Sequence, residues 1–412
     1  MSLNSSRPLI GGDSALRTES NDPFDIESAS ISISAQPRVL LVGPCFSGGG
    51  AERRFTNIAT HLFKGKSDVS VLTIGEVTDP LLVDKATDLG WSGRLSYAKS
   101  IWLLRRCIVQ GQYDVLMSFG LFPNVVAIIA NMLTSGKTRL IINEITRPNL
   151  EALNNKGWRT LIQMALRKWL YPRCSLITAN SIDGLREACE LAGIPIGSGV
   201  RVVNAIDSRH LVKKSFEKTN TSIGLEKYVI CVGRLDFMKR IDTVVRAFGK
   251  LADRTGVGLV IVGDGEARQG LETQVNDMGL KESVVFTGKL DNPFPLLKRA
   301  SAFVLASEYE GFSNSVLEAM FCDVPVITSL CSSDAREMCD QGAALGFGVG
   351  NAAELSEHIA AVMGDASLGQ QLTSRARAYS AQHEISQAMP VYESLIRSVA
   401  GRMADGCGAV KL

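Results

Sequence analysis

From Arg38 onward, short apolar runs alternate with amphipathic segments, and this alternation constrains the fold more than any other feature of the chain. The runs RVLLVG, DVSVLTI, YDVLMSF, TRLIIN and SLITAN are separated by stretches of helical periodicity such as AERRFTNIATHLF. A run that is apolar on both faces needs cover on both, which is the condition of a parallel strand flanked by helices. After Leu225 the pattern starts again with YVICVG, VGLVIVGDG, SVVFTG, AFVLAS and PVITS, alternating with segments such as RIDTVVRAFGKLADR. The sequence therefore predicts an α/β protein of two Rossmann-like, doubly wound domains facing a cleft. The length of 412 residues agrees, because it exceeds what one core usually fills.

The expected boundaries follow from composition. Residues 1–37 read as a disordered tail, since the first 36 residues carry nine serines and a single aromatic, Phe24, too little apolar surface to offset the entropy of ordering. The first domain is expected over 38–208 and the second over 209–385, with the junction around VVNAIDSRHL. A net charge of +2 gives no global drive toward nucleic acid. Nine cysteines without a C-x-x-C or a histidine pair at zinc spacing read as reduced core thiols, with no metal site. The N-terminus lacks the basic region and apolar core of a secretion signal. The longest apolar candidate, Phe119 to Leu133, is broken by Pro123, Asn124 and Asn131 before it reaches the ~18 residues of a membrane span. These features predict a cytoplasmic protein.

In doubly wound sheets ligands sit at the carboxyl ends of strands, so the loops there are where chemistry is expected. The first such loop, CFSGGGAERR (Cys45 to Arg54), has three glycines that let a ligand approach the backbone at a helix start; a plain tight turn is the alternative. It matches neither G-x-G-x-x-G nor a Walker loop, which argues against a dinucleotide or ATP. In VGRLDFMKRID, Arg234 and Lys239 can converge on a pyrophosphate or be ordinary solvated cations. VGDGE is a glycine-rich strand exit. The stretch EYEGFSNSVLEA places Glu310 on a loop and Glu318 eight residues later, in the first turn of a helix expected to begin near Ser313 to Ser315. Ser315 and Glu318 also fit a capping box, while a helix start with free amides is an anion site. Finally, KGWRTLIQMALRKWLYPR (Lys156 to Arg173) holds five basic residues, no acidic one, and Trp158, Trp169 and Tyr171. It predicts a helix able to lie on an anionic membrane surface, the alternative being a half-buried helix with a solvated basic face.

Taken in order, Arg-Leu after one strand, Gly-Asp-Gly after the next, Phe-Thr-Gly after the third and the glutamate-bracketed helix after the fourth form a series. It resembles the donor domain of retaining family-4 glycosyltransferases of the GT-B fold, and the resemblance spans roughly Arg38 to Leu395. GGGAER and VVNAID fit the same family. The resemblance implies a metal-independent transferase that moves a sugar from a nucleotide donor, commonly a uridine diphosphate sugar, to a hydroxyl of a lipid-linked or polysaccharide acceptor in cell-surface glycan synthesis. It implies no cofactor, a position at the cytoplasmic face of a membrane, and a helix over 386–405 that crosses back to the first domain.

By the same resemblance Gly233, Arg234 and Lys239 bind the diphosphate, and Glu310 with the amides of Gly311, Phe312 and Ser313 holds sugar and phosphate. Glu318 takes the ribose hydroxyls, the loop through Gly288 and Leu290 lies against the base, and Gly49 and Gly50 face the donor phosphate from the opposite domain. Glu310, Arg234 and Lys239 are the implied catalytic groups. No D-x-D metal motif occurs, and two fixed cations with a helix start can neutralise a leaving diphosphate in its place. The chain departs from the family pattern at Asn143-Glu144-Ile-Thr-Arg147-Pro148 and at LCSSDARE, so the resemblance assigns no role to Glu144, Arg147 or Glu337. A nucleotide-sugar epimerase or hydrolase, and a non-catalytic nucleotide-sugar-binding subunit, are the other readings of the same pattern.

Overall fold

The computed structural model describes residues 36–44, 50–64, 68–74, 86–88, 97–150, 157–219, 221, 223–251 and 256–401. The expected tail, apart from residues 36 and 37, and residues 402–405 of the expected last helix lie outside these.

Two parallel sheets carry the fold. The first is built from β1 (Arg38–Pro44), β2 (Asp68–Ile74), β3 (Ala86–Asp88), β4 (Val115–Phe119), β5 (Arg139–Glu144), β6 (Leu176–Ala179) and β7 (Gly199–Arg201), in the order β3-β2-β1-β4-β5-β6-β7. The second is built from β8 (Lys227–Val232), β9 (Val257–Val262), β10 (Val284–Gly288), β11 (Ala302–Leu305), β12 (Val326–Ser329) and β13 (Leu345–Phe347), in the order β10-β9-β8-β11-β12-β13. Both orders reverse direction at one point, between β1 and β4 and between β8 and β11, where crossovers leave on opposite faces and a crevice opens at the strand ends. The three-residue strands β3, β7 and β13 pair with their neighbours although no apolar run in the sequence announces them.

Each sheet is covered on both faces, as the two-sided apolar runs require. In the first domain Val39, Leu41, Val115 and Met117 point into one layer and Leu40, Val42, Leu116 and Ile142 into the other. In the second, Tyr228 and Ile230 alternate in the same way with Val229 and Cys231.

The chain passes between the domains twice, and the two passages lie side by side. The Ile206 amide donates to the His383 carbonyl at 2.9 Å, and the Ile385 amide donates back to the Ile206 carbonyl at 2.9 Å. Beyond this clasp the helix Ile385–Gly401 returns to the first domain, where Ala388, Met389, Tyr392, Leu395, Ile396 and Val399 pack against Val39, Phe55 and Val115.

His383 sits in the clasp, fully buried, with its ring 4.8 Å from that of Phe312 and its Nδ1 3.2 Å from the Asn204 carbonyl. Burial pushes its imidazole down to about 4 from the ordinary 6.5. The folded protein therefore holds this ring neutral where the unfolded chain binds a proton, so the stability it contributes is complete above pH 6.5 and is lost as pH falls toward 4. We expect the melting temperature to decline over that window and the decline to flatten in His383→Gln; identical slopes for the two proteins would show that the clasp is not the acid-sensitive element.

Candidate active site

At the switch point of the second sheet, the loops leaving β8 and β11 are tied to each other. The Glu308 amide donates to the Met238 carbonyl at 2.8 Å, and Arg240 stands 3.7 Å from the Glu308 carboxylate. Lys239 Nζ donates to Glu310 Oε1 at 2.5 Å, and Ser307 Oγ donates to the same oxygen at 2.7 Å. Asp236 organises the β8 loop: its side chain accepts the Lys239 amide at 3.1 Å and lies 3.0 Å from Arg234 Nη2. Arg240 ends the short 3₁₀ turn Phe237–Lys239 in the left-handed region (φ 48°), an uncommon conformation for a side-chain-bearing residue and one the surrounding ion pairs must hold. Gly263, at the exit of β9, has φ 140°, and a Cβ there would fall 1.8 Å from the Gly233 carbonyl oxygen. The glycines of VGDGE thus let two strand exits pass at contact distance.

Glu310 lies on the loop, as expected, and the helix that follows runs Asn314–Phe321 with Ser313 as N-cap. Two details of the expectation need correction. Glu318 opens the second helical turn rather than sitting in the first, because the helix starts at Asn314. The capping box also does not form, because Ser315 is inside the helix and not before it. Ser313 makes no side-chain cap; its Oγ meets Ser315 Oγ at 3.0 Å instead. Glu318 is 5% exposed and turned toward the cleft.

These groups form one wall of a cleft of about 760 Å³ between the two domains. Gly233, Arg234, Lys239, Leu290, Glu310, Gly311, Phe312, Ser313 and Glu318 all line it. Arg234, 77% exposed, stands at the mouth, whereas Lys239 and Glu310 are largely buried. Gly288 is not a lining residue: it closes β10 with φ 72°, and its carbonyl accepts the Gly263 amide at 2.9 Å behind the cleft. Gly49 lies outside the described residues, and Gly50 begins the first helix, Gly50–Lys64.

Across the cleft, Glu144 proves to be a support. Its fully buried carboxylate accepts from Tyr171 at 2.8 Å, from Arg167 Nε at 3.1 Å and from the Thr146 hydroxyl at 2.9 Å. Burial alone would raise its pKa, but Arg167 and these hydrogen bonds outweigh it and hold the group ionised. Arg147 lines the cleft and braces the domain seam, giving Nε to Glu187 at 2.9 Å and Nη1 to the Cys331 carbonyl at 3.2 Å. Beside it Asp183 accepts the Ser333 amide and hydroxyl at 2.7 and 2.6 Å. Glu337 is away from the cleft, 3.4 Å from Arg201.

Among the lining residues that the sequence did not mark are Arg54, Asn180 and Asn204. Their signal was present but weak, namely a polar residue ending an apolar run at a strand exit or junction (SLITAN, VVNAID), or closing the glycine loop (GGGAERR). Gly311 brings the two walls together, because a Cβ there would lie 3.2 Å from Asn180 Oδ1 and 3.4 Å from the Ile145 carbonyl.

Residues 212–379 match the family model described as glycosyl transferases group 1. Over 216 residues the chain is 32% identical to the N-acetylgalactosamine-N,N'-diacetylbacillosaminyl-diphospho-undecaprenol 4-alpha-N-acetylgalactosaminyltransferase of Campylobacter jejuni, a match covering 52% of this chain and 57% of that relative. It is 27% identical over 376 residues, 88% of this chain and 99% of the relative, to a second N-acetylgalactosaminyltransferase of the same organism, which also acts on a diphospho-undecaprenol-linked saccharide. Among solved structures, the Anabaena protein HepE in complex with UDP and glucose superposes with a TM-score of 0.73 at 18% identity, covering 88% of this chain and 100% of that one. The sucrose-phosphate synthase of Thermosynechococcus elongatus superposes with a TM-score of 0.75 at 17% identity, covering 89% and 100%. At these identities the superpositions bear on the fold alone.

The position of the helix start can be checked directly. Removing the Ser315 hydroxyl takes away only its bond to the Ser313 hydroxyl and should shift stability by less than about 0.5 kcal/mol, where an N-cap serine would cost about 1 kcal/mol. Thermal melts of Ser315→Ala against the parent decide, and a loss near 1 kcal/mol would restore the capping box.

Proposed function

From the match of residues 212–379 to the glycosyl transferases group 1 model and from the GT-B fold, we propose that the chain moves a sugar from a uridine diphosphate donor to a hydroxyl of a lipid-linked or polysaccharide acceptor. The anomeric configuration is retained. The observation that carries this reading is the convergence of Arg234, Lys239, Glu310 and Glu318 on one cleft wall, on loops already bonded to each other. Diphosphate departure develops negative charge, and preorganised cations beside a helix start lower its cost. Lys239 meets the phosphate from within the cleft and Arg234 from its mouth. Glu310 faces the sugar and Glu318 the ribose. In front-face transfer, the bond from the acceptor oxygen to the anomeric carbon forms on the face from which the phosphate leaves. The departing phosphate oxygen takes the acceptor's proton. The acceptor class follows the Campylobacter relatives, whose names specify diphospho-undecaprenol-linked substrates.

A lipid-linked acceptor requires access to a bilayer, and one face of the first domain suits it. The helices Tyr97–Gly111, Leu121–Met132 and Trp158–Leu170 pack in succession and contain no acidic residue. Trp102, Met132, Trp158, Leu161 and Trp169 are all more than half exposed, interspersed with exposed Arg105, Arg106, Arg159, Lys168 and Arg173. The last helix is inverted relative to an ordinary surface helix, since it buries Arg167 against Glu144 and turns its tryptophans outward. Arg167 therefore does not belong to the basic surface expected from the sequence, and Lys156 lies outside the described residues. Aromatics at headgroup level with flanking cations fit an anionic leaflet. No helix among the described residues is long and apolar enough to cross a membrane; the contact proposed is a peripheral one.

Incubation with labelled nucleotide-sugars, with and without a bacterial lipid-linked saccharide extract, tests the reaction. Acceptor-dependent product that survives excess chelator is expected; product without acceptor would indicate an epimerase or hydrolase, and recovery only with manganese would remove the cation mechanism. Lys239→Ala should cost about 2 to 4 kcal/mol of transition-state stabilisation, and Glu310→Gln should lower turnover more than nucleotide affinity.

Sedimentation with liposomes tests the membrane face. Binding should require anionic lipid and weaken with salt, by about 1 kcal/mol for each basic residue removed, and Trp158→Ala with Trp169→Ala should reduce it further. Equal, negligible recovery on neutral and anionic vesicles would make the three helices purely structural.

A further inference from the structure

Ser307 stands where the run AFVLAS leaves the second sheet, one strand over from Ser329, where PVITS ends. Both serines are fully buried. Ser329 Oγ donates to the Ser307 carbonyl at 2.7 Å, so the neighbouring strand holds the Ser307 backbone from behind. The Ser307 hydroxyl has a single proton to give, and it goes to Glu310 Oε1 at 2.7 Å. Lys239 Nζ donates to the same oxygen at 2.5 Å. Two donors thus converge on one carboxylate oxygen. No described residue donates to Oε2, and that atom is not enclosed: it opens onto the cleft that Glu310 lines.

A glutamate left to itself does not keep such an arrangement. The last torsion of its side chain is broad and roughly two-fold, so the carboxylate plane turns at little cost. Lys239 cannot fix that plane alone, because an ammonium on a flexible stem follows the carboxylate and bonds either oxygen. Ser307 differs, since its hydroxyl sits on the shortest of stems and on backbone pinned to β12. The bond it makes selects one plane for Glu310, and in that plane the second oxygen faces the cleft. We propose that Ser307 is a positioning residue for the transfer: by holding Oε1 it aims Oε2 of Glu310 at the donor sugar, while its own side chain stays behind the cleft wall. This rests on the reading of the cleft as a glycosyl-transfer site. A buried hydroxyl that merely finds an acceptor would have no hold on the rate; one that aims Glu310 does.

Ser307→Ala removes the donor, and Ser307→Thr keeps a hydroxyl in its place. A crystal structure of the full chain with Ser307→Ala reads the effect without any reaction: the Glu310 carboxylate should turn from its present plane, and an unmoved plane would overturn the proposal. Labelled transfer from UDP-sugars into a bacterial lipid-linked saccharide extract reads the consequence. Ser307→Ala should lower kcat about tenfold or more, because a small misplacement at the reacting centre is costly, with the donor KM within about twofold of the parent and the melting temperature unchanged. Ser307→Thr should return kcat to within about threefold of the parent. Added to Glu310→Ala, Ser307→Ala should slow transfer no further, because the group it aims is gone. An unchanged kcat in Ser307→Ala, with or without a lowered melting temperature, would make the serine structural. A full tenfold loss on top of Glu310→Ala would make it act on something else, and a raised donor KM at intact kcat would place it in the hold on the nucleotide; each overturns the proposal. A parent that binds UDP but transfers nothing would overturn the transferase reading and this proposal with it, whereas full-rate transfer by both the parent and Ser307→Ala would overturn this proposal alone.

Discussion

The bond between Lys239 and Glu310 fixes the geometry on which the rest of the cleft depends. It joins the loop leaving β8 to the loop leaving β11, two segments that the strand order brings side by side only because the sheet reverses direction between them. Both side chains are largely removed from solvent, so breaking the pair by deleting either partner strands a charge at substantial cost. Ser307, Asp236 and the backbone bond from Glu308 to Met238 add to the same tie. In the proposed transfer, charges fixed in this way need little reorganisation to face a leaving anion, which is what makes fixed charge effective.

A second constraint acts between the domains. The clasp at Ile206 and Ile385, the contacts of Asp183 with Ser333 and of Arg147 with the Cys331 carbonyl, and the Asn204 to Asn314 bond all cross the seam. They are mostly hydrogen bonds to exchangeable partners rather than a continuous apolar interface, whereas large clusters of apolar side chains fill the two domains beneath. The two domains thus meet at a polar seam, and the loops that line the cleft sit where that seam opens.

Much of this was legible in the residues. Two-sided apolar runs dictated parallel strands with helices on both faces, and the rule that ligands sit at the carboxyl ends of strands pointed to the loops that line the cleft. Glycine before Arg234 and again at Gly263 marked strand exits that approach one another. What periodicity could not supply was pairing at distance. The partnership of Glu144 with Arg167 and Tyr171 spans separate elements, and it made an internal brace of a glutamate that the sequence left without a role and of an arginine that read as part of a basic membrane face. The short strands β3, β7 and β13 carry too few residues for any period to register, and they form because a neighbour offers a ladder. Arg54, Asn180 and Asn204 passed as unremarkable polar residues because only packing brings them to the cleft.

The account stands or falls on whether the wall built by Lys239, Glu310 and Glu318 is a nucleotide site. Calorimetric titration of UDP into the parent and into Glu318→Gln, in chelator, measures this without any acceptor. Binding by the parent and a loss of about 1.5 to 3 kcal/mol in the variant, at unchanged melting temperature, is the expected result. No heat with UDP or any other nucleoside diphosphate, or equal affinity in the two proteins, would contradict it.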